Sequence, residues 1–221
     1  MGYLSRNKIY AKVEPFKDAK KIYIFCEGEK TEINYFKFFQ GFASNIDIVP
    51  IPNDNGKSDP VKLKEKAESC IESGAIDISK ETEDEVWFVI DTDRWNEGNK
   101  IELLKIFVQE KNESYNGWFV AQSNLSFEIW LYYHFNSEKP KEEEVAAFAT
   151  FKEFVATKIK GGFDNRSMPL EIQQATLSAE TNFESENGQP KIYSTEVFNL
   201  AKKIIRFTKT QLDQCLAETT K

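Results

Sequence analysis

The chain has 221 residues, 40% of them hydrophobic, which is enough to bury a substantial core, and its 36 acidic and 29 basic residues leave a formal charge of −7. That balance excludes a generic nucleic-acid coat, although a local basic surface can still serve a nucleic-acid enzyme. A single histidine, His134, and three scattered cysteines, Cys26, Cys70 and Cys215, exclude serine-hydrolase triads, histidine-rich metal sites and a disulfide framework. Any catalysis must therefore rest on carboxylates, lysines or a metal ion. No apolar run approaches the ~20 residues that cross a bilayer. The first residues, MGYLSRNKIYAKVEPFKD, lack the apolar core of a signal peptide, so a cytoplasmic protein without a membrane partner is expected.

Residues 1–19 read as a basic arm carrying Arg6, Lys8, Lys12 and Lys17. KKIYIFCE, 20–27, reads as a buried strand bounded by charge and by Gly28. From Thr31 to Phe42 apolar residues recur at helical spacing, with Thr31 as N-cap and Gly41 as stop. IDIVPI, 46–51, predicts a second strand. Asp59-Pro60 predicts the cap and first residue of a helix with the stripe Val61, Lys64 (its stem), Ala67, Cys70 and Ile71. EVWFVID, 85–91, is the strongest strand pattern. A helix follows from Asn96 to Asn112, with Ile101, Leu104, Phe107 and Val108 facing inward. GWFVAQ, 117–122, predicts a fourth strand, Ser123-Asn124 a turn, and SFEIWLYYHF, 126–135, another helix.

Strands alternating with helices of this length predict an α/β protein whose mainly parallel, four-stranded sheet is flanked by helices on both faces. Residues 20–136 form that unit. Residues 137–221 predict a helical C-terminal subdomain packed beside the sheet: one helical segment at 139–159, a polar stretch at 170–190 of uncertain structure, and a long helix from residue 194. In that last helix Lys202, Arg206 and Lys209 share a face. These basic residues suit either a phosphate backbone or a solvated surface.

Ligands of parallel sheets gather at the carboxyl ends of the strands, and the conspicuous acids sit there. The stretch CEGEKTE has one glycine and two acids where a phosphate-binding loop needs several glycines, which excludes a P-loop. Glu27 ends the first strand, Asp91 and Asp93 end the third, and Glu128 lies in the first turn of the helix after the fourth. Converging carboxylates repel unless a cation neutralises them, and hard oxygen ligands suit Mg²⁺ or Mn²⁺. Taken singly, Glu27 also suits a turn, and Glu32 and Glu128 suit acids favoured by a helix dipole. His134 suits a hydrogen-bonded core histidine.

CEGEKTE with NYF at 26–36, the Asp91-x-Asp93 pair, and SNLSFEIWLYYHF at 123–135 resemble the RloB family, with its CEGxxTExxYF start, acidic strand end and SNPxFExWLLxHF segment. Leu125 departs from the pattern, standing where the family has proline. The resemblance implies a Toprim-like fold and a link to bacterial restriction and abortive infection. It also implies a Mg²⁺-dependent nuclease effector of antiviral defence acting on nucleic acid, RNA such as tRNA among the candidates. Carried over residue by residue, Glu27 becomes the acid/base or metal-sharing glutamate and Asp91 and Asp93 the metal ligands. Glu32 and Glu128 become further pocket acids, and Lys30 a contact to the scissile phosphate. Lys8, Lys12, Lys202, Arg206 and Lys209 would hold the backbone. The alternative is a non-catalytic Toprim-like module partnering a defence ATPase.

Overall fold

The computed structural model describes residue 10 and residues 12–52, 59–92 and 98–219. Four parallel strands form the core of one sheet: β1 (Lys20–Cys26), β2 (Ile46–Ile51), β3 (Glu85–Asp91) and β4 (Trp118–Asn124). They are ordered β2-β1-β3-β4. Among the described residues no helix is long and apolar enough to cross a membrane.

Each strand is apolar on both faces because helices cover both. On one face lie α2 (Pro60–Glu72) and α3 (Lys100–Asn112), closing a core of Tyr23, Phe25, Val86, Phe88, Ile90, Leu63, Leu104 and Phe107. Asp59 caps α2, its carboxylate accepting from the N–H groups of Val61 and Lys62. The inward stripe of α2 differs from the expected one. Pro60, Leu63 and Ala67 are buried while Ile71 is exposed, because the helix presents its 60–63–67 row to the strands. On α3 the four expected positions are all buried.

The opposite face carries α1 (Thr31–Lys37), α4 (Glu128–Tyr132) and the C-terminal segment. α1 is shorter than expected, its last turns loosening toward Gly41 at φ +66°. Lys30, not Thr31, occupies the N-cap position, since the Lys30 carbonyl accepts the first helical hydrogen bond, from Asn34 N–H at 2.9 Å. α4 keeps only five α-helical residues of the longer helix expected.

After α4 come α5 (Glu142–Val145) and α6 (Phe151–Lys158), a single helix by pattern that Thr150 divides by capping Glu153 N–H at 3.1 Å. A 3-10 turn, Met168–Glu171, leads into α7 (Ile172–Thr181), and α8 (Val197–Thr219) closes the described chain. Between α7 and α8 lies a small hairpin, β5 (Ser185–Glu186) and β6 (Gln189–Pro190), turning on Asn187 and Gly188, both at positive φ. Then β7 (Ser194–Thr195) pairs antiparallel with Ser123 and Asn124. The sheet is therefore five-stranded and mixed, not four-stranded, and Ser123-Asn124 belong to β4, Ser123 pairing with Asp91 of β3 as well as Thr195 of β7, and Asn124 with Ser194 of β7.

The C-terminal elements share the core of the sheet. Phe154, Leu170, Ile172, Leu200 and Ile204 cluster with Ile22, Ile24, Trp87 and Val89. At the amino ends of the strands, Glu85 accepts from Lys20 at 2.7 Å, Lys203 at 3.1 Å and Trp87 Nε1 at 2.8 Å, tying α8 to β1 and β3.

Candidate functional site

In a sheet of order β2-β1-β3-β4 the chain leaves β1 toward one edge and returns to build β3 on the other side. The gap between the carboxyl ends of β1 and β3 is thus the point where strand order reverses, the place such sheets bind ligands. Glu27 and Asp91 stand on its two sides. Glu27 N–H donates to Val89 O at 3.0 Å, carrying the ladder one residue past β1. Its carboxylate Oε2 accepts from Asp91 N–H, also at 3.0 Å. Asp91 Oδ1 in turn accepts from Phe127 N–H at 2.8 Å, so the start of α4 is fastened to the tip of β3.

Glu32 and Glu128 complete the cluster. Glu32, in the first turn of α1, is 6% exposed, and its Oε2 is buried without a hydrogen-bond partner. Gly28 lies directly against it: a Cβ there would sit 2.0 Å from that oxygen. The glycine is needed here for space. Glu128 accepts from Ser126 Oγ at 2.7 Å and meets Lys152 of α6 at 3.6 Å. The Asn124–Leu125 peptide bond just before it is cis, at the position of the family's proline.

The electrostatics follow from this crowding. Burial, then the charges of Glu32, Glu27 and Glu128, hold the Asp91 carboxyl well above the usual carboxylate range. Burial pushes Glu32 up to about 7, with Glu128 and Glu27 adding to it and Lys152 opposing. Four acids so close, with one oxygen orphaned, leave the site short of positive charge, and the donors are hard oxygens of the kind that Mg²⁺ and Mn²⁺ take. Asp93, the expected third ligand, lies outside the described residues, and among the described residues no three acidic, histidine or cysteine side chains are grouped to hold an ion.

The expected basic contacts are dispersed. Lys30 is exposed and borders the acids across a cleft also lined by Glu128 and Lys152. Lys12 lies against Gly41, beyond the far end of α1. On α8, Lys202 pairs with Glu180, Lys209 with Asp213 at 2.8 Å, and Arg206 lies over the Phe207 ring, which also receives Lys20 from the start of β1. Arg206 thus sits by the amino end of β1, away from the acids. Lys8 lies outside the described residues. His134 is a core residue, 2% exposed, with Nε2 against Tyr35 Oη at 3.1 Å and Nδ1 against Trp130 O at 3.0 Å. Lys152 and Asn165, both beside the acids, escaped sequence reasoning because they lie in later segments without a motif.

Fold and site together define an α/β protein with a mostly parallel sheet and an acidic cluster at its switch point. The chain belongs to the RloB-like protein family, whose model matches residues 22–204. The match continues past residue 136, where the recognisable motifs stop, through β7 and into α8. Neither the curated proteins nor the solved structures gave a match.

Proposed function

We propose that this RloB-like chain is a Toprim-type, Mg²⁺- or Mn²⁺-dependent phosphodiesterase that cleaves nucleic acid as an effector of bacterial antiviral defence. The observation that carries the reading is the 3.0 Å link between Glu27 and the Asp91 backbone across the switch point, where burial and the neighbouring acids raise the Asp91 carboxyl. The Toprim relation and the defence role rest on the motif resemblance of the family.

Glu27, Asp91 and Asp93 would hold the ion, which when bound supplies an activated water and stabilises charge on the phosphate. Glu27 is oriented by Asp91 N–H, so its carboxylate is placed to take or return a proton at the reacting oxygen. Glu32, protonated up to about pH 7, is a second proton store in the first turn of α1. Lys30 and Lys152 carry positive charge at the rim, where the phosphate enters. The lysines and arginine of α8 meet only a long substrate. The sheet is about seven residues deep at ~3.3 Å each, a reach of roughly 20 Å, or about six stacked nucleotides.

The test is cleavage of a panel of RNA and DNA with Mg²⁺, Mn²⁺ or EDTA, comparing wild type with Glu27→Gln and Asp91→Asn at matched thermal stability. Cleavage that needs the ion and disappears in both variants is expected; equal cleavage by wild type and variants would sink the reading. A second reading is favoured by one observation: Asp91 and Glu27 each already accept a backbone N–H. The acids would then fasten β1, β3 and α4 together in a non-catalytic module that partners a defence ATPase. In that case wild type cleaves nothing, and Glu27→Gln lowers the melting temperature without abolishing toxicity alongside the partner.

A further inference from the structure

One residue past Asp91 the core turns polar. Thr92, Gln122, Ser123, Ser194 and Thr195 are each no more than 6% exposed, and they meet where β3 and β4 end against β7. Thr92 is the centre of this network. Its N–H donates to Ser123 O at 2.7 Å, and its Oγ1 donates to the same carbonyl at 2.9 Å. Gln122 Nε2 donates to that Oγ1, also at 2.9 Å. Gln122 is held in turn by Glu196, whose carboxylate accepts from its N–H at 3.1 Å and whose own N–H donates to its carbonyl at 2.8 Å. Ser123 Oγ lies 2.8 Å from Thr195 Oγ1. The other end of the Gln122 amide, Oε1, is buried with no hydrogen-bond partner among the described residues. Such an oxygen costs stability, so a methionine of similar length would suit the core better. Stability alone does not account for a glutamine here.

We propose that Thr92 and Gln122 are positioning residues of the cation site, pinning the backbone at the tip of β3 so that Asp91 is presented to a divalent ion. Asp91 is already restrained elsewhere: its N–H donates to Glu27, and its Oδ1 accepts from Phe127 N–H. Thr92 adds a restraint on the residue that separates Asp91 from Asp93 in the chain. Two bonds to one carbonyl leave Thr92 little freedom to rotate, whereas its N–H alone would leave a hinge. Groups of this kind orient the side chains that touch a metal, and removing one typically lowers metal affinity about 10–100-fold. The inference rests on the divalent-cation reading of the site. It adds that the C-terminal segment braces that site through Glu196 and Thr195, which hold the two residues of β4 that anchor Thr92.

The probe is Mn²⁺ alone, titrated into the full chain and followed by the electron paramagnetic resonance signal of the free ion. Wild type is expected to bind it, and Asp91→Asn to bind it far more weakly. Thr92→Val removes the hydroxyl at nearly constant shape and should weaken Mn²⁺ about 10–100-fold. Thr92→Ser keeps the hydroxyl and should bind as wild type does. The double variant Thr92→Val, Gln122→Met separates positioning from stability. Replacing both partners of a buried bond by apolar groups of the same shape is close to neutral for folding. Its melting temperature should therefore match or exceed that of wild type while Mn²⁺ binding stays weakened. A merely structural pair would do the reverse, lowering the melting temperature and leaving the affinity of the folded protein alone. Should Thr92→Val not fold by itself, the double variant carries the same comparison. Wild-type affinity in the folded valine variants, or equal loss in Thr92→Ser, overturns the positioning role alone. Wild type that binds no Mn²⁺ overturns the cation reading and this inference with it.

Discussion

Glu32 shows how the acids strain the fold that holds them. Its carboxyl titrates at about 7 in the folded chain, against ~4.3 when unfolded. Below the unfolded value both states are protonated and the residue is neutral to stability. As pH rises through that window only the unfolded state ionises, so stability falls, levelling off above the folded value at a cost of about 4 kcal/mol. Glu32→Gln should therefore raise the melting temperature at pH 8 without divalent ions, and change it little at pH 4.5. His134 has the opposite sign. Burial depresses it to about 3, so its contribution is present above the free value of ~6.5 and is lost as pH falls toward 3. Urea midpoints measured against pH for wild type and His134→Gln should converge in acid and separate above neutrality. The motif histidine that invites a catalytic role is thus a structural one, with both ring nitrogens occupied.

At the scale of elements, the turn from β1 into α1 is built around the missing side chain of Gly28. Gly28→Ala should destabilise by about 1–3 kcal/mol, as overpacking does. The cost should shrink when Glu32→Ala is added, which a double-mutant cycle by chemical denaturation would reveal as coupling. This turn was legible in the sequence, since an apolar run, an acid and a glycine are local signals. So was β3, whose 85–91 pattern leaves no room for another structure. The inward row of α2 was not. Of the expected stripe Val61, Lys64, Ala67, Cys70 and Ile71, Ala67 and Cys70 do meet the core, and only the packing against the strands decides for Leu63 over Val61 and Ile71. The β5–β6 hairpin did carry a local sign in Asn187-Gly188, but its strands are two residues each, too short for any alternation to be read. β7 carried no sign at all: two residues become a strand only because Ser123 and Asn124 are there to pair with them.

For the whole molecule, one core runs from β1 to α8. A chain ended at residue 136 loses Phe154, Leu170, Ile172, Leu200 and Ile204 from the cluster that includes Ile22 and Trp87. At about 1.5–3 kcal/mol for each buried apolar side chain, that loss is comparable with the whole stability of a typical domain, ~5–15 kcal/mol. Such a fragment should be unfolded by circular dichroism, whereas an intact, cooperatively melting fragment would show that residues 20–136 stand alone. Glu85→Ala should cost about 3 kcal/mol or more in urea denaturation, because it leaves Lys20 and Trp87 Nε1 without their buried acceptor. The acid cluster was legible because its members lie at predictable strand ends. The place of the α8 basic residues relative to the acids was not legible, because a helical face says nothing about which end of a sheet it will meet.

β7 also sets an order in time. A ribosome delivers all four parallel strands and all the described acids of the switch point well before residues 194–195 arrive to pair with the end of β4, and before α8 can cover the sheet. Until then the nascent chain carries an open sheet edge and an unfilled apolar face, a form suited to chaperones and proteases. The far edge of the sheet is thus closed only after every described acid of the switch point has been made.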